Sequence, residues 1–386
     1  MRIQFKAGDL VRGAEVAQSV ANPQSTMPIL AQILIKGEHN NLASLTAMDF
    51  DVRVRVEVPA EVEVKGQITV PARTFYDFVR ELPSDSDVLI EAKGDKVTVT
   101  CRDIRGEMAT MPAEDFPVWP EMESKLEFEM AQKDLQQVLD KVLFTVPVRD
   151  MRKTLLGALF EIRKTTLNVV GTDGKILACA RQSISSEKPP KEFNAIVPRK
   201  LLEELDRNLN DEGLVSVAFN EKQVSFRLGN ILYLSNQVEG TYPDYTQVIP
   251  KQFARRFHIQ KPPLLAAIRR AAIFTDQRQN SVTLEFRGDK VAILADSYDR
   301  GRFFEELPAV VEGGDFRIAF NYKFLQDVLK ALSQEEVLLQ ANQNSMPAIW
   351  RAENADDCFY VVMPVKIQER TEIEETAVAE EGESEA

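Results

Sequence analysis

The amino-acid sequence predicts an α+β protein of three tandem similar domains, each with two helices and flanking antiparallel sheets. Three observations predict it. A helical design occurs three times, as VPARTFYDFVREL from Val70, VPRKLLEELDRNL from Val197 and AFNYKFLQDVLKAL from Ala319. A strand followed at once by a helix opens each copy, at IQFKAGDLVRGAEVAQSV from Ile3, LEFEMAQKDLQQVLDKVL from Leu126 and FHIQKPPLLAAIRRAAIF from Phe257; Leu10, Leu135 and Leu265 correspond, 125 and 130 residues apart. Alternating apolar and polar segments with turn signals fill the remainder. Repeats of this length exceed a solenoid unit and suit consecutive domains, each with its own core.

The helices come first because their signal is strongest. Phe75, Phe78, Val79 and Leu82 fall at i, i+3, i+4 and i+7, a stripe that only a helix puts on one side. Leu201, Leu202, Leu205 and Leu209 repeat it, as do Phe324, Leu325, Val328, Leu329 and Leu332. The predicted helices span 8–21, 71–82, 131–144, 198–209, 262–274 and 321–332. After the first helix of each copy come strands with a turn: LASLTAMDFDVRVRVEV, LNVVGTDGKILACARQS and VAILADSYDRGRFFEEL. After the second come alternating runs such as 87–101 and 214–235, with turns at Gly94-Asp95 and Asn220-Glu221. The predicted domains are 1–122, 126–251 and 254–367, joined by linkers near 117–125 and 249–256. Residues 368–386 hold eight Glu and one Arg with little to bury, and are predicted to be a disordered acidic tail.

Composition bounds the function. The chain has 386 residues, 44% hydrophobic, enough for two or three cores. The N-terminal MRIQFKAGDLVRG lacks the apolar run of a signal peptide and no stretch approaches a membrane span, so the expected compartment is the cytoplasm. Cys101, Cys179 and Cys358 are far apart and fit no metal spacing, which predicts buried thiols rather than disulfides or a zinc site. His39 and His258 are the only histidines, expected in a loop and in a strand, so no His-based triad or His-rich metal centre can be assembled. No phosphate-binding or nucleophile motif occurs. Asp49 with Asp51, Asp173, and Asp296 with Asp299 are the strongest acids for a metal hydrolase. They recur at one hairpin position per repeat, which a turn role explains without catalysis. The sequence therefore predicts no enzyme, no cofactor and no metal.

The net charge of −13 first argues against nucleic acid, but the charge is unevenly placed. The tail carries −7 of it, and the six predicted helices together carry +2 against −15 elsewhere. Opposite each apolar stripe lies a basic pair seven residues apart: Arg73 with Arg80, Lys200 with Arg207, and Lys323 with Lys330. Charged residues on a solvated helix face are common; the recurrence in register favours a shared role.

Seven segments in order carry a resemblance: TMPIL at 26–30, VPARTFYDFVRELP at 70–83, TMPAEDFP at 110–117, GTDGKILA at 171–178, IVPRKLLEEL at 196–205, YPDYTQVIP at 242–250 and YVVMPVKI at 360–367. Over residues 1–367 the sequence resembles the bacterial sliding clamp family, the β subunit of DNA polymerase III. The resemblance implies a head-to-tail homodimeric ring around double-stranded DNA, a processivity factor for the replicative polymerase. It also implies that polymerase, clamp loader and repair proteins dock short hydrophobic peptides in one cleft per subunit. Helix spacing agrees with a dimer. At about 9–10 Å per helix, twelve helices enclose a bore of roughly 25–28 Å, whereas six leave only about 9 Å.

The resemblance implies three sets of residues. DNA would meet Arg73, Arg80, Lys200, Arg207, Arg270, Lys323 and Lys330, with Arg149, Arg152 and Lys153 adding to them from a loop. One subunit face, at Arg105 and Met108, would meet Ile273 and Phe274 of a second copy, with Glu305 and Glu306 opposite the basic side. The cleft would be formed by Leu155, Thr172, Gly174, Lys175, Ile176, Leu177, Pro243 and Val248 in one pocket. Asn321, Tyr322, Phe324, Met346, Pro347, Val361, Val362, Met363, Pro364 and Val365 would form the second. Ile176 stands where the family usually has Arg, and a basic residue usual near Gln24 and Ser25 is absent. The competing readings are a carboxylate-metal hydrolase at Asp49, Asp173 or Asp296, and a peptide-binding scaffold that never meets DNA. Metal-dependent turnover would mark the first, and failure to stimulate a polymerase the second.

Overall fold

Among the described residues every α-helix begins where a strand ends, without an intervening loop. The computed structural model describes residues 1–39, 41–184, 192–276, 280–353, 355 and 357–366. Among them the order of elements is a threefold repeat of strand, helix, three strands, strand, helix, three strands. The first copy holds β1 (Arg2–Lys6), α1 (Ala7–Val20), β2 (Gln32–His39), β3 (Leu42–Met48), β4 (Val52–Val64), β5 (Gly66–Pro71), α2 (Ala72–Val79), β6 (Asp87–Lys93), β7 (Lys96–Cys101) and β8 (Ile104–Ala109). The second holds β9 (Leu126–Ala131), α3 (Gln132–Val142), β10 (Gly157–Arg163), β11 (Thr166–Thr172), β12 (Ile176–Ser183), β13 (Phe193–Pro198), α4 (Arg199–Asn208), β14 (Leu214–Phe219), β15 (Gln223–Leu228) and β16 (Ile231–Asn236). The third holds β17 (Arg255–Gln260), α5 (Lys261–Ala271), β18 (Ser281–Arg287), β19 (Lys290–Ser297), β20 (Gly301–Glu312), β21 (Phe316–Asn321), α6 (Tyr322–Ala331), β22 (Glu336–Ala341), β23 (Ala348–Ala352) and β24 (Cys358–Val362). This is the three-domain α+β architecture that the sequence predicts, with six α-helices among the described residues.

The chain divides into two compact units, residues 1–173 with 178–243, and residues 174–177 with those from 244 onward. In the first, strands run in the order β8-β7-β6-β1-β4-β16-β15-β14-β9, all antiparallel where paired. The long strand β4 makes this continuous: Val52–Val56 pair with β16 while Ala60–Val64 pair with β1. In the second, the run is β24-β23-β22-β17-β20-β19-β18-β21, and β20 serves the same double purpose between β19 and β17. Alternation along β4 buries Val52, Val54, Val56, Val58, Ala60 and Val62, every second residue, as a half-covered sheet requires.

The predicted stripes face the cores. Phe75, Val79, Leu201, Leu202, Leu205, Leu325, Val328 and Leu329 are all buried, while Phe78, Leu209 and Phe324 are half-buried at the edges. Phe78 lies over Gly106 of β8, where a Cβ would stand 2.8 Å from the ring, so glycine is required beneath it. Phe75→Ala is expected to cost about 3–5 kcal/mol, the usual loss for a deleted core aromatic, read by chemical denaturation.

Element ends depart from expectation. The second helix stops at Val79 rather than 82, with Arg80 as its C-cap, and the fifth ends at Ala271, after which Ala272–Phe274 tighten into a 3₁₀ turn. Terminal carbonyls without intrahelical partners favour such tightening, and an apolar period does not register it. His39, expected in a loop, closes β2. All three cysteines are buried free thiols. The acidic tail and Ile367 lie outside the described residues. No described helix is long and apolar enough to cross a membrane.

Candidate functional site

The nominated cations sit on helix surfaces, and most face a carboxylate already. Arg73 Nε meets Asp77 at 2.9 Å and Arg80 meets the same carboxylate at 3.2 Å, with its guanidinium also 5.5 Å from the centre of the Tyr76 ring. Lys200 pairs with Asp49. Arg207 meets Glu204 at 2.6 Å, and Glu204 is itself buried, accepting a second hydrogen bond of 2.5 Å from Ser19 of α1. Arg270 forms a bidentate pair with Glu305, and Lys330 lies 3.6 Å from Asp327. In the loop before β10, Arg152 grips Asp150 at 2.8 Å and donates to the Asp173 carbonyl at 2.8 Å. The Arg152 hydrogen bonds hold the Asp150 carboxyl down at about 2, so this pair stays ionised throughout the ordinary pH range. Among the described residues, Arg149, Lys153 and Lys323 stand exposed with no carboxylate partner.

Asp77, Glu204 and Asp327 share the helix faces of the basic pairs, as the sequence shows, and they are the partners of those cations here. Asp77 stands four residues from Arg73 and three from Arg80, and Glu204 three from Arg207, spacings readable on a helix. Asp49 and Glu305 reach their cations only through the fold. Asp49 also does what a turn aspartate does, its Oδ1 accepting from the backbone N–H of Asp51 at 2.8 Å and of Val52 at 2.7 Å. None of the nominated aspartates belongs to a group of three potential metal ligands among the described residues.

The two proposed contact faces fare unequally. Arg105 lies exposed on β8, which is an outer strand in its sheet order, and pairs with Glu107 at 2.8 Å. Met108, expected at that surface, is instead only 9% exposed, because it is paired with Val97 on the inward side of the β7–β8 ladder. Ile104 on the same strand carries the exposed apolar surface. In the second unit Ile273 is 63% exposed and its carbonyl accepts from Arg300, while the Phe274 ring stacks on Phe303 at 5.6 Å. Phe274 is therefore partly committed to its own fold. Glu305 and Glu306 are paired within the chain, with Arg270 and with Lys290.

The nominated cleft residues divide by unit. In the first, Leu155 is buried, Thr172 half-buried and Pro243 exposed, and the neighbouring Tyr242 is buried with its hydroxyl donating to the Val170 carbonyl at 3.3 Å. Burial pushes that phenol well above its ordinary pKa, so it stays protonated. In the second unit, the segment leaving β24 is tied down twice: Met363 N–H donates to the Lys175 carbonyl at 2.9 Å, and Val365 N–H to the Ala319 carbonyl at 2.8 Å. These bonds bring Lys175, Met363, Pro364 and Val365 alongside the end of β21, next to Asn321 and Tyr322. The Asn321 side chain caps α6 by accepting from Lys323 N–H at 3.0 Å. Gly174, with φ of +88°, makes the turn that a β-carbon would strain. Met346, Met363 and Val248 are 45%, 40% and 43% exposed, and Pro347 and Phe324 are half-buried. Ile176, Leu177, Val361 and Val362, named with the cleft in the sequence reading, are buried core residues of the single chain with almost no surface exposed.

The sequence matches three family models in order: the DNA polymerase III beta subunit N-terminal domain over residues 1–120, its central domain over 129–244 and its C-terminal domain over 246–366. The Beta sliding clamp of Pseudomonas putida is 31% identical over 372 residues, covering 95% of this chain and 100% of that protein. That of Pseudomonas aeruginosa is 32% identical over 374 residues, with the same coverage. The crystal structure of the DNA polymerase III subunit beta from Pseudomonas aeruginosa superposes with a TM-score of 0.91 at 29% identity, covering 95% of this chain and 100% of that one. The sliding clamp of Bartonella birtlesii, solved bound to griselimycin, gives 0.89 at 28% with the same coverage. With its three repeats matched in order and such relatives covered end to end, the chain belongs to the bacterial beta sliding clamp family, the beta subunit of DNA polymerase III, and is a DNA sliding clamp for the replicative polymerase.

Proposed function

We propose that two copies of the chain close head to tail around double-stranded DNA, and that the ring holds the polymerase through a hydrophobic peptide seated against Met346 and Met363. Domains of 1–122, 126–251 and 254–367 form each half. The protein acts in the cytoplasm and catalyses nothing itself. Clamp loader and repair proteins share the peptide seat.

The observation that carries this reading is the muted charge of the helix surfaces. A clamp must hold DNA without gripping it, and affinity from phosphate contacts rises with the number of free cations. Here Arg73, Arg80, Lys200, Arg207, Arg270 and Lys330 keep positive charge at the surface while neighbouring acids offset it. Stimulation of a polymerase on a long primed circle, with and without a clamp loader, tests the function as a whole. No stimulation under any condition would leave a scaffold that never meets DNA.

The pairing makes a finer prediction. Asp77→Asn releases Arg73 and Arg80, so DNA affinity should rise at low salt, and the plot of log K against log salt should steepen by about 0.9 for each added phosphate contact, about 2 if both arginines engage. Replacing the unpaired Arg149, Lys153 and Lys323 by Gln should flatten that slope more than replacing an equal number of paired cations. Slopes that ignore both changes would remove these surfaces from the DNA path.

A further inference from the structure

His258, Glu336 and Glu353 form a cluster that neither DNA binding nor peptide docking uses. One imidazole nitrogen and one carboxylate oxygen from each glutamate all lie within 4.8 Å of one another, and each side chain is half-buried. Among the described residues this is the one group of three or more potential metal ligands. The strand ladder sets the spacing. His258 pairs with Leu338 and Gln260 with Glu336 across β17 and β22, so His258 and Glu336 share a face two positions apart. Val337 pairs with Ala352 across β22 and β23, which places Glu353 directly beyond that strand beside Glu336. His258 Nδ1 stands 3.0 Å from Glu353 Oε1, reaching across β22. Leu338 beneath is buried, and Val310, opposite His258 on β20, forms an exposed apolar shoulder.

From this juxtaposition we infer a binding site for one divalent transition-metal ion of the zinc class on the face of the β17-β22-β23 ladder, with His258, Glu336 and Glu353 as ligands. An imidazole with two carboxylates is a donor set for zinc, cobalt or nickel, whereas magnesium and calcium take all-oxygen shells. Metal–ligand distances near 2.0–2.2 Å put neighbouring ligand atoms about 3.3–3.5 Å apart on a tetrahedral ion. The separations here therefore close by at most about 1.5 Å, within reach of a glutamate rotamer change while the strands stay fixed. Arg351, two residues before Glu353, adds a positive charge to the neighbourhood. It works against ions held by charge alone and sharpens the preference for those that bond to imidazole. Three protein ligands leave the fourth position to water, and the bound ion would brace three neighbouring strands at once.

The full-length chain, stripped of metal, is titrated with zinc by calorimetry and with cobalt by visible absorption, alongside His258→Gln and Glu336→Gln. The expected result is one equivalent bound per chain, with a cobalt spectrum showing nitrogen and oxygen ligands, and its loss in both variants. The glutamate-rich tail and the three thiols are common to all three proteins and cancel in the comparison. Zinc should also raise the melting temperature of the unsubstituted chain and leave the variants unmoved, which separates a folded, site-free variant from a misfolded one. No stoichiometric binding, or binding that both folded variants retain, would overturn the site.

Discussion

Ile273→Glu is expected to leave single chains in place of the proposed dimer without unfolding them, and Ile104→Glu to do the same from the other face. Both side chains are well exposed in the isolated chain, so a charge there costs the fold little. Across a joint, it would be buried without a partner at an apolar centre, where truncation alone often costs 2 kcal/mol or more. Phe274 is a poorer choice, since its stacking on Phe303 would be lost at the same time. The proposed head-to-tail arrangement gives a sharper test than either substitution alone. Each chain has two different faces, and a ring of two has two identical joints. Mixing the Ile104→Glu and Ile273→Glu chains leaves one intact joint between the unaltered Ile273 face of one and the unaltered Ile104 face of the other. Solution mass should then return to that of two chains, while retention on circular DNA stays lost because the pair is open. An isologous interface would give no such rescue, and unchanged dimers in both single variants would place the joint elsewhere.

The fold was legible wherever a period could be read. Helix stripes at Phe75, Leu201 and Leu325 carry a 3.6-residue signal that tertiary packing reinforces, so the helices and their buried faces emerge from the sequence itself. Helix ends were not, because the last turn of α5 tightens around Ala272–Phe274 without any change in apolar spacing. Charge at the helix surfaces was half legible. Asp77 and Glu204 offset their arginines at i+3 and i+4, but Lys200 meets Asp49 across 151 residues of chain, a contact that only the three-dimensional fold creates. The burial of Met108 was not legible, because it depends on which face of β8 the residue occupies, and a one-residue shift of register inverts that. Asn321 held a readable signal of a different kind: a residue immediately before a helix with an amide side chain is a cap, and it does cap. The cluster at His258 joins residues 258, 336 and 353, two on strands and the third just past the end of β23, and no linear spacing announces it.

Met363→Ser combined with Met346→Ser is expected to abolish the proposed capture of a short hydrophobic peptide while leaving the proposed dimer and its DNA retention intact. Both methionines are exposed, and a flexible thioether suits a surface that accepts partners of differing shape. Burying a side chain of this size on binding is worth about 1.5–3 kcal/mol, so each loss should weaken affinity by roughly ten- to a hundredfold and the pair by more. The backbone beneath is held independently of both side chains, by Met363 N–H on the Lys175 carbonyl and Val365 N–H on the Ala319 carbonyl, so the substitutions remove surface without releasing the strand end. Leu177→Ser makes the instructive contrast. At 4% exposure that residue belongs to the core, and its loss should lower the melting temperature before it lowers affinity. Calorimetry on the folded double variant decides the matter: the heat-capacity change of peptide binding should vanish with the affinity, because it reports apolar surface leaving water. A peptide bound at full strength, with an unchanged heat-capacity signature, would move the seat away from Met346 and Met363.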